Sequence, residues 1–489
     1  MADYDVAIIG GGLNGTAIAR DAAGRGLRVI LFEQDDLGSA ASSSSSRLIQ
    51  GDLARLERGA LLSVRTALAE RSTLLRTAPH LTRPIRVVIP AHADERRPWQ
   101  LRGLLLIHDA LASGSGLPSA TTLDVTHHPV GVALQRPFGT AFAYSGCAID
   151  DSRLVVLNAV DAAERGAAIR TGARCVRADR GDSWRLAVID RGQRRVITAR
   201  ALVNATGAWT GSVFDTVLRL PAPPLRLLKA TRIVVGRLFE TDHVYLLQNH
   251  DGRLIYAAPY GPDFTLVGSV ERGFEGDPAI VAATASEIAY LCDAANRYFR
   301  ARIEPADVVR GVAGANAVVD RRARRPVRDG FLQLEHRTNE APLLTISAGD
   351  ITTSRKRAEQ AVSLLTPFYP MSRRWTATAP LPGGDFAWAR FDDQVEKVRE
   401  SWGFLGEAEA RRLVAAYGTR VERVLGTAQS RDELGPTFGP DLTGAEVRYL
   451  MRDEWARFPE DVLWRRSKLG LTMPVQDRER LAAFMAEAG

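Results

Sequence analysis

Three glycines at G-x-G-x-x-G spacing, Gly10, Gly12 and Gly15 in Gly10-Gly11-Gly12-Leu13-Asn14-Gly15, follow a short apolar run and precede an Ala-rich one, and the next apolar run ends in an acid, Glu33. Each glycine answers a steric need: Gly10 permits a tight turn, Gly12 lets the backbone approach a pyrophosphate, and Gly15 lets helix and strand pack closely. The N–H groups at the start of the following helix face the phosphates. Glu33 is placed to accept hydrogen bonds from both hydroxyls of an adenosine ribose. The chemistry expected is dinucleotide binding by Gly10, Gly12, Gly15 and Glu33. Residues 39–47, a serine run ending in Arg47, read either as a flexible linker or as a hydroxyl-rich loop suited to phosphate and ribitol oxygens.

A βαβ unit must hold these residues. Residues 5–9 read as a buried parallel strand, 16–26 as a helix with a glycine stop, and 27–32 as a second buried strand. Helical periodicity over 61–75 and 101–111 flanks a short strand near 85–89. Residues 149–153 have N-cap character before an apolar helix at 154–165. Strand-like runs follow at 184–189 and 196–199, and a further one from 201 ends in a Thr-Gly turn at Gly207. Alternation over 234–267 predicts an antiparallel sheet, and 342–350 returns to a buried strand that leads into a helix at 353–365. Beyond a Pro- and Gly-rich break at 376–385, six helical patterns run from 393 to 485. The fold class expected is α/β + α: a Rossmann-like dinucleotide-binding domain interleaved with an antiparallel-sheet substrate lobe, then a C-terminal all-α domain. The binding domain draws on residues 1–80, 145–215 and 340–370, and the lobe on 81–144 and 216–339, together making 1–375. A linker at 376–385 leads to the helical domain at 386–489.

The chain's 489 residues suit two or three domains at ~100–200 residues each. With 45% hydrophobic and 25% charged residues it is an ordinary globular composition, which excludes disordered and fibrous classes. The three cysteines, Cys147, Cys175 and Cys292, are too far apart for a disulfide framework or a CxxC metal site, so a reducing, cytoplasmic setting is expected. The net charge of +7 is spread over the chain and does not imply nucleic acid. The densest basic run, 321–328, reads as a solvated loop or as a site for phosphate or anionic lipid. No apolar stretch reaches the ~20 residues of a membrane helix, so membrane contact is at most peripheral. No metal site is expected: the adjacent His127 and His128 would face opposite ways on a strand.

Several segments resemble the FAD-dependent, quinone-linked glycerol-3-phosphate dehydrogenases within the D-amino-acid-oxidase-like superfamily. They are residues 8–27 (IIGGGLNGTAIARDAAGRGL), 42–51 (SSSSSRLIQG), 202–209 (LVNATGAW), 351–359 (ITTSRKRAE) and 446–471 (EVRYLMRDEWARFPEDVLWRRSKLGL). The likeness runs nearly end to end. It implies FAD as cofactor, a hydride taken from a carbon bearing a hydroxyl, and electrons passed to quinone or oxygen. It also matches Ser42, Ser43, Ser46 and Arg47 to the loop beside the flavin, and Gly349, Thr352 and Thr353 to the turn at its pyrimidine edge.

The substrate side departs from the family pattern. Where the family has His-Gly-Gly-Leu-Arg-Tyr-Leu, this chain has Gln50-Gly51-Asp52-Leu53-Ala54-Arg55-Leu56. The family's Lys-Gly-Ser-His is Lys229-Ala230-Thr231-Arg232, the arginine of Gly-Val-Arg-Pro is Asn316, and the lysine of Gly-Gly-Lys-Leu-Thr-Thr is Asp350; Arg328 is retained. A carboxylate ~4 Å from a phosphate costs about 4 kcal/mol per unit charge at an effective dielectric of 20, which disfavours glycerol 3-phosphate. Asp52 and Asp350 suit a cationic nitrogen, and Arg55, Arg232 and Arg328 a carboxylate. Plainer roles stay open: Asp350 as a helix cap, Arg55 in solvent, Arg232 paired within its sheet. No histidine falls in a substrate motif to act as base, and a neutral amine needs none. The preferred reading is a flavoenzyme that oxidises an amine, amino-acid-like or hydrazine C–N bond. The alternatives are a glycerol-3-phosphate dehydrogenase with rearranged contacts and a non-catalytic FAD-binding regulator. The partners expected are a small-molecule substrate and a quinone or oxygen acceptor, with a homodimer as an open option.

Overall fold

A computed structural model describes residues 2–49, 53–91, 98–135, 139–319 and 330–488. The first strand, β1 (Tyr4–Ile9), lies in the middle of an eight-stranded sheet, counted among the described residues. Val6, Ala7 and Ile8 are fully buried, which is why the run is continuously apolar rather than alternating. Helix α1 (Leu13–Gly24) and strand β2 (Val29–Glu33) complete the right-handed unit, with Ile9 beside Phe32 in parallel register. On the other side of β1 runs the strand Gln193–Asn204, with Ile9 beside Asn204. Its first half pairs antiparallel with Trp184–Asp190, and its second half lies parallel to Leu343–Ser347 as well. The runs at 196–199 and 201–205, expected as separate strands, are therefore one, because the two halves serve different neighbours.

α1 is small-sided and buried on several faces, since the helices Asp151–Glu164 and Ser354–Ser363 both pack on it. Asp150 caps the former by accepting from the Arg153 N–H. The second sheet has nine strands among the described residues and is antiparallel except where Val244–Gln248 runs beside Thr82–Pro90. The helix Ala285–Asn296 covers one face around Ile233, Tyr245 and Phe299. Helices Leu61–Thr77 and Pro98–Leu111 cover part of the other, around Val234 and Val87. Two short strands cross the expected division. Leu48–Ile49 joins the second sheet, and Phe331–Glu335 the first. Two residues carry no periodicity, and the basic run at 321–328 that leads to the latter strand lies outside the described residues.

The C-terminal region packs helices Phe391–Ser401, Glu407–Tyr417, Gly444–Asp453 and Val475–Ala488 around Leu413, Val414, Phe438 and Leu450. A two-stranded hairpin, Thr437–Phe438 with Leu442–Thr443, interrupts the helices. The Pro- and Gly-rich segment before it is bonded along its length: Leu381 N–H donates to Thr77 O (2.7 Å), Thr376 to Glu359 (2.6 Å), and Arg20 to the carbonyls of Ala379 and Pro380 (3.0 and 3.3 Å).

A Cβ at Gly15 would lie 1.9 Å from Gly10 O, so Gly15→Ala must push α1 off β1. Overpacking of this kind costs about 1–3 kcal/mol, and thermal denaturation of Gly15→Ala is expected to show a lowered midpoint. Gly211, with open space around it, is the control; Gly211→Ala should leave the midpoint unmoved.

Candidate active site

Between the two sheets lies a cavity of about 1290 Å³. It begins at Glu33, passes the turn at Gly10 and Gly12 and the first residues of α1, and ends between the turn 348–352 and the second sheet. The backbone forms its floor. Gly10 has φ +109°, and a Cβ there would lie 2.5 Å from Ala205 O; a Cβ at Gly12 would meet Ser42 Oγ at 3.0 Å. Gly12 caps α1 with no side chain, so the positive end of the helix is turned toward the cavity, a setting for an anion. Gly15 lies behind this floor, in the packing role described above.

The Glu33 carboxylate accepts the N–H groups of Gly11 (2.7 Å) and Asp35 (2.9 Å) and keeps lone pairs for hydroxyl donors. Burial pushes its carboxyl up to about 7 against the pull of those two donors. Gly207 (φ +57°), Gly349 (φ +101°) and Thr352 line the cavity. Thr353 lies outside the lining, with its N–H and hydroxyl on Asp350 Oδ1 (2.9 and 3.1 Å). Asn14, which local reading passed over, ties the start of α1 to this turn through Ala348 O (3.1 Å).

The serine run divides. Ser42, Ser44, Ser45 and Ser46 line the cavity, whereas Ser43 turns to Ala40 O (3.2 Å). Arg47 does not reach the lining. Its left-handed backbone (φ +57°) sends the guanidinium behind the loop, 3.4 Å from both Asp150 and Asp151 and 4.6 Å from the ring of Tyr260. Carboxylates just over a hundred residues downstream draw it there, and no local pattern encodes them.

On the substrate side, two of the expected residues pair with each other: Arg55 Nη2 is 3.3 Å from Asp350 Oδ2, and Arg55 Nη1 donates to Ser63 Oγ (2.9 Å). Asp350 is thus both a turn cap and an ion-pair partner, and its charge does not stand alone. Arg232, 7% exposed, donates from Nε to the Tyr256 hydroxyl oxygen (2.7 Å) and from Nη1 to the Ser44 carbonyl. Among the described residues no carboxylate lies within ion-pair distance of it. Gly268 makes room, since a Cβ there would lie 2.5 Å from Arg232 Cγ. Asn316, on Val308–Val319 opposite Leu228, and Tyr256 also line the cavity; Tyr256 was not foreseen because a tyrosine in an alternating strand reads as core. No histidine is in the lining among the described residues. Asp52 and Arg328 lie outside the described residues.

A glycine-floored cleft that begins at the acid Glu33 and ends at a second, antiparallel sheet has the form of a flavin-dependent oxidoreductase. Residues 5–354 match the family described as FAD dependent oxidoreductase, and residues 374–488 the C-terminal domain of alpha-glycerophosphate oxidase. The chain is 41% identical to a glycerol-3-phosphate dehydrogenase of Pseudomonas aeruginosa, over 99% of this chain and 95% of that one. It is 39% identical to a D-erythritol 1-phosphate dehydrogenase of Brucella abortus, over 98% and 97%. The fold of a Bacillus halodurans glycerol-3-phosphate dehydrogenase complexed with FAD superposes with a TM-score of 0.75, covering 100% of this chain and 91% of that one at 22% identity. The chain belongs to the FAD-dependent glycerol-3-phosphate dehydrogenase family. It is an FAD-dependent enzyme, which sets aside the non-catalytic reading, and its glycine floor and helix terminus fit that cofactor. No helix among the described residues is long and apolar enough to cross a membrane.

The folded Glu33 value lies above the ordinary 4.5, so between there and about 7 the folded chain holds a proton that the unfolded chain has released. Stability of the cofactor-free protein therefore falls as pH rises through that window. Glu33→Gln should flatten the dependence of its thermal midpoint on pH. The same variant should weaken FAD binding about tenfold or more, since hydrogen bonds to a charged acceptor contribute about 1.5–3 kcal/mol.

Proposed function

We propose that this enzyme oxidises a small polar substrate carrying a carboxylate, at an amine, amino-acid-like or hydrazine C–N bond, rather than glycerol 3-phosphate. The observation that carries the reading is Arg232: a buried guanidinium on the cavity wall, bonded to two neutral oxygens and lacking a counter-charge among the described residues. One such cation matches a carboxylate monoanion. A phosphate dianion calls for more, yet Arg55, which also lines the cavity, is paired with Asp350. Tyr256 accepts from Arg232 and so keeps its own proton to donate to a substrate oxygen. FAD, when bound, supplies the hydride acceptor, and quinone or oxygen takes the electrons onward. The described residues bring no histidine to remove a hydroxyl proton, which suits a neutral amine whose nitrogen lone pair supports the loss of hydride. For the cofactor we assign Gly10, Gly12 and the α1 terminus to the pyrophosphate, Glu33 to the ribose, Ser42 and Ser46 to the flavin side, and Gly207, Gly349 and Thr352 to the ring. The three cysteines are buried and unpaired, which supports a cytoplasmic setting with at most peripheral membrane contact.

A second reading is oxidation of a polyol phosphate, favoured by the 39% identity to a D-erythritol 1-phosphate dehydrogenase. It would draw a second lining arginine, such as Arg55 or Arg58, to the phosphate beside Arg232. Anaerobic mixing separates the two. Amino acids or other carboxylate-bearing amines should bleach the flavin's visible absorption while glycerol 3-phosphate and erythritol phosphate leave it unchanged; bleaching by either phosphate at the faster rate overturns the amine reading. With the active substrate, Arg232→Gln should raise KM about tenfold or more and leave kcat within a few fold.

A further inference from the structure

The C-terminal helical region supplies none of the described cavity lining, yet its cations reach two loops that do. Asp151, 1% exposed, stands directly behind the serine loop. Its Oδ2 accepts the N–H and the hydroxyl of Ser45 (3.1 and 2.9 Å), while its Oδ1 faces Lys468 Nζ (3.2 Å) and Arg47 Nε (3.4 Å). Lys468 belongs to the C-terminal region. The adjacent Ser44 carbonyl holds Arg232, so the series Lys468, Asp151, Ser45, Ser44, Arg232 runs from the C-terminal region to the substrate wall.

A second link reaches the other end of the cavity. Asp36, 6% exposed and three residues past Glu33, accepts both terminal nitrogens of Arg466 (2.8 and 2.9 Å) and the Nε of Arg465. Its neighbour Asp35 gives its N–H to Glu33. Arg466 also donates to Glu454 O (2.7 Å), and the Glu454 carboxylate takes Arg153, two residues beyond Asp151. Both loops are thus held from behind by buried carboxylates whose counter-charges come in large part from residues 465–468. A buried charge deprived of its partner is strongly unfavourable, and undocking the C-terminal region would leave Asp36 without its two arginines and Asp151 with Arg47 as its remaining cation among the described residues.

We propose that Lys468, Arg465 and Arg466 are positioning residues for the cofactor site, and that FAD binding and docking of the C-terminal region form one coupled equilibrium. Coupling of this kind is reciprocal: whatever factor docking adds to FAD affinity, FAD adds to docking. A second set of ties across the same seam, Arg420 and Arg423 to Glu164 on the outer end of its helix, touches neither loop and, being partly exposed, adds little to docking, so it provides the control.

The test uses the full chain, stripped of FAD and titrated back. Lys468→Met and Arg465→Gln are expected to raise the FAD dissociation constant about tenfold and to alter the visible band shape of the bound flavin, with Lys468→Arg restoring both. Arg420→Ala should stay within twofold of the parent. In the unaltered chain, saturating FAD is expected to slow proteolytic cleavage between residues 376 and 385. The proposal is overturned if Lys468→Met and Arg465→Gln bind FAD as the parent does, or if Arg420→Ala weakens binding equally. Should the variants not fold, a cleavage rate in the parent that is indifferent to FAD overturns it as well.

Discussion

The Gly10 carbonyl oxygen occupies the space that a side chain at position 15 would need, and the Ala205 carbonyl occupies the space of one at position 10. This three-way contact of β1, α1 and the end of Gln193–Asn204 is the constraint on which the rest of the molecule depends. It brings the start of α1 onto the sheet with its terminus at the cleft, where the Ser42 hydroxyl accepts the Leu13 N–H (3.0 Å). It also fixes the height of α1, which carries the helices Asp151–Glu164 and Ser354–Ser363 and, through Arg20, the segment leading to the C-terminal region. A methyl group in the wrong place would displace all of these together.

Charge is distributed unusually in the interior. Arg20–Asp161, Arg153–Glu454 and Arg466–Asp36 are ion pairs of nearly buried side chains, each linking segments far apart in the chain. Burial alone would raise the Asp36 carboxyl, but Arg466 and Arg465 hold it below its ordinary range. Such pairs add little net stability over well-packed apolar residues, while loss of one partner costs about 3–5 kcal/mol. Two of the three, Arg153–Glu454 and Arg466–Asp36, join the C-terminal region to the binding domain, and the third holds α1 to the helix Asp151–Glu164.

In the cavity the same electrostatics act by subtraction. Arg55 and Asp350 offset each other, while Arg232 keeps its charge without a carboxylate in ion-pair range among the described residues, the feature on which the proposed substrate reading rests. Its seat depends on an absence of side chain at Gly268 and on the Tyr256 hydroxyl and Ser44 carbonyl, which orient the guanidinium without neutralising it. The cavity wall around Arg232 is thus set by residues from three strands and the serine loop, unlike the turn at Gly10 and Gly12, which a single βαβ unit supplies.

That contrast separates what the sequence determined from what the tertiary structure decided. The glycine spacing, Glu33, the alternation of the second sheet and the periodicity of the C-terminal helices were legible in the chain itself, because turn sterics and side-chain periodicity act over a few residues. Arg47 turning away from the cleft, Arg55 closing on Asp350 across 295 positions, the entry of Tyr256 into the lining, and the grip of residues 465–468 on Asp36 and Asp151 were not. An ionic partner is chosen by distance in space, and in this chain the nearest opposite charge usually comes from a segment that only folding brings alongside.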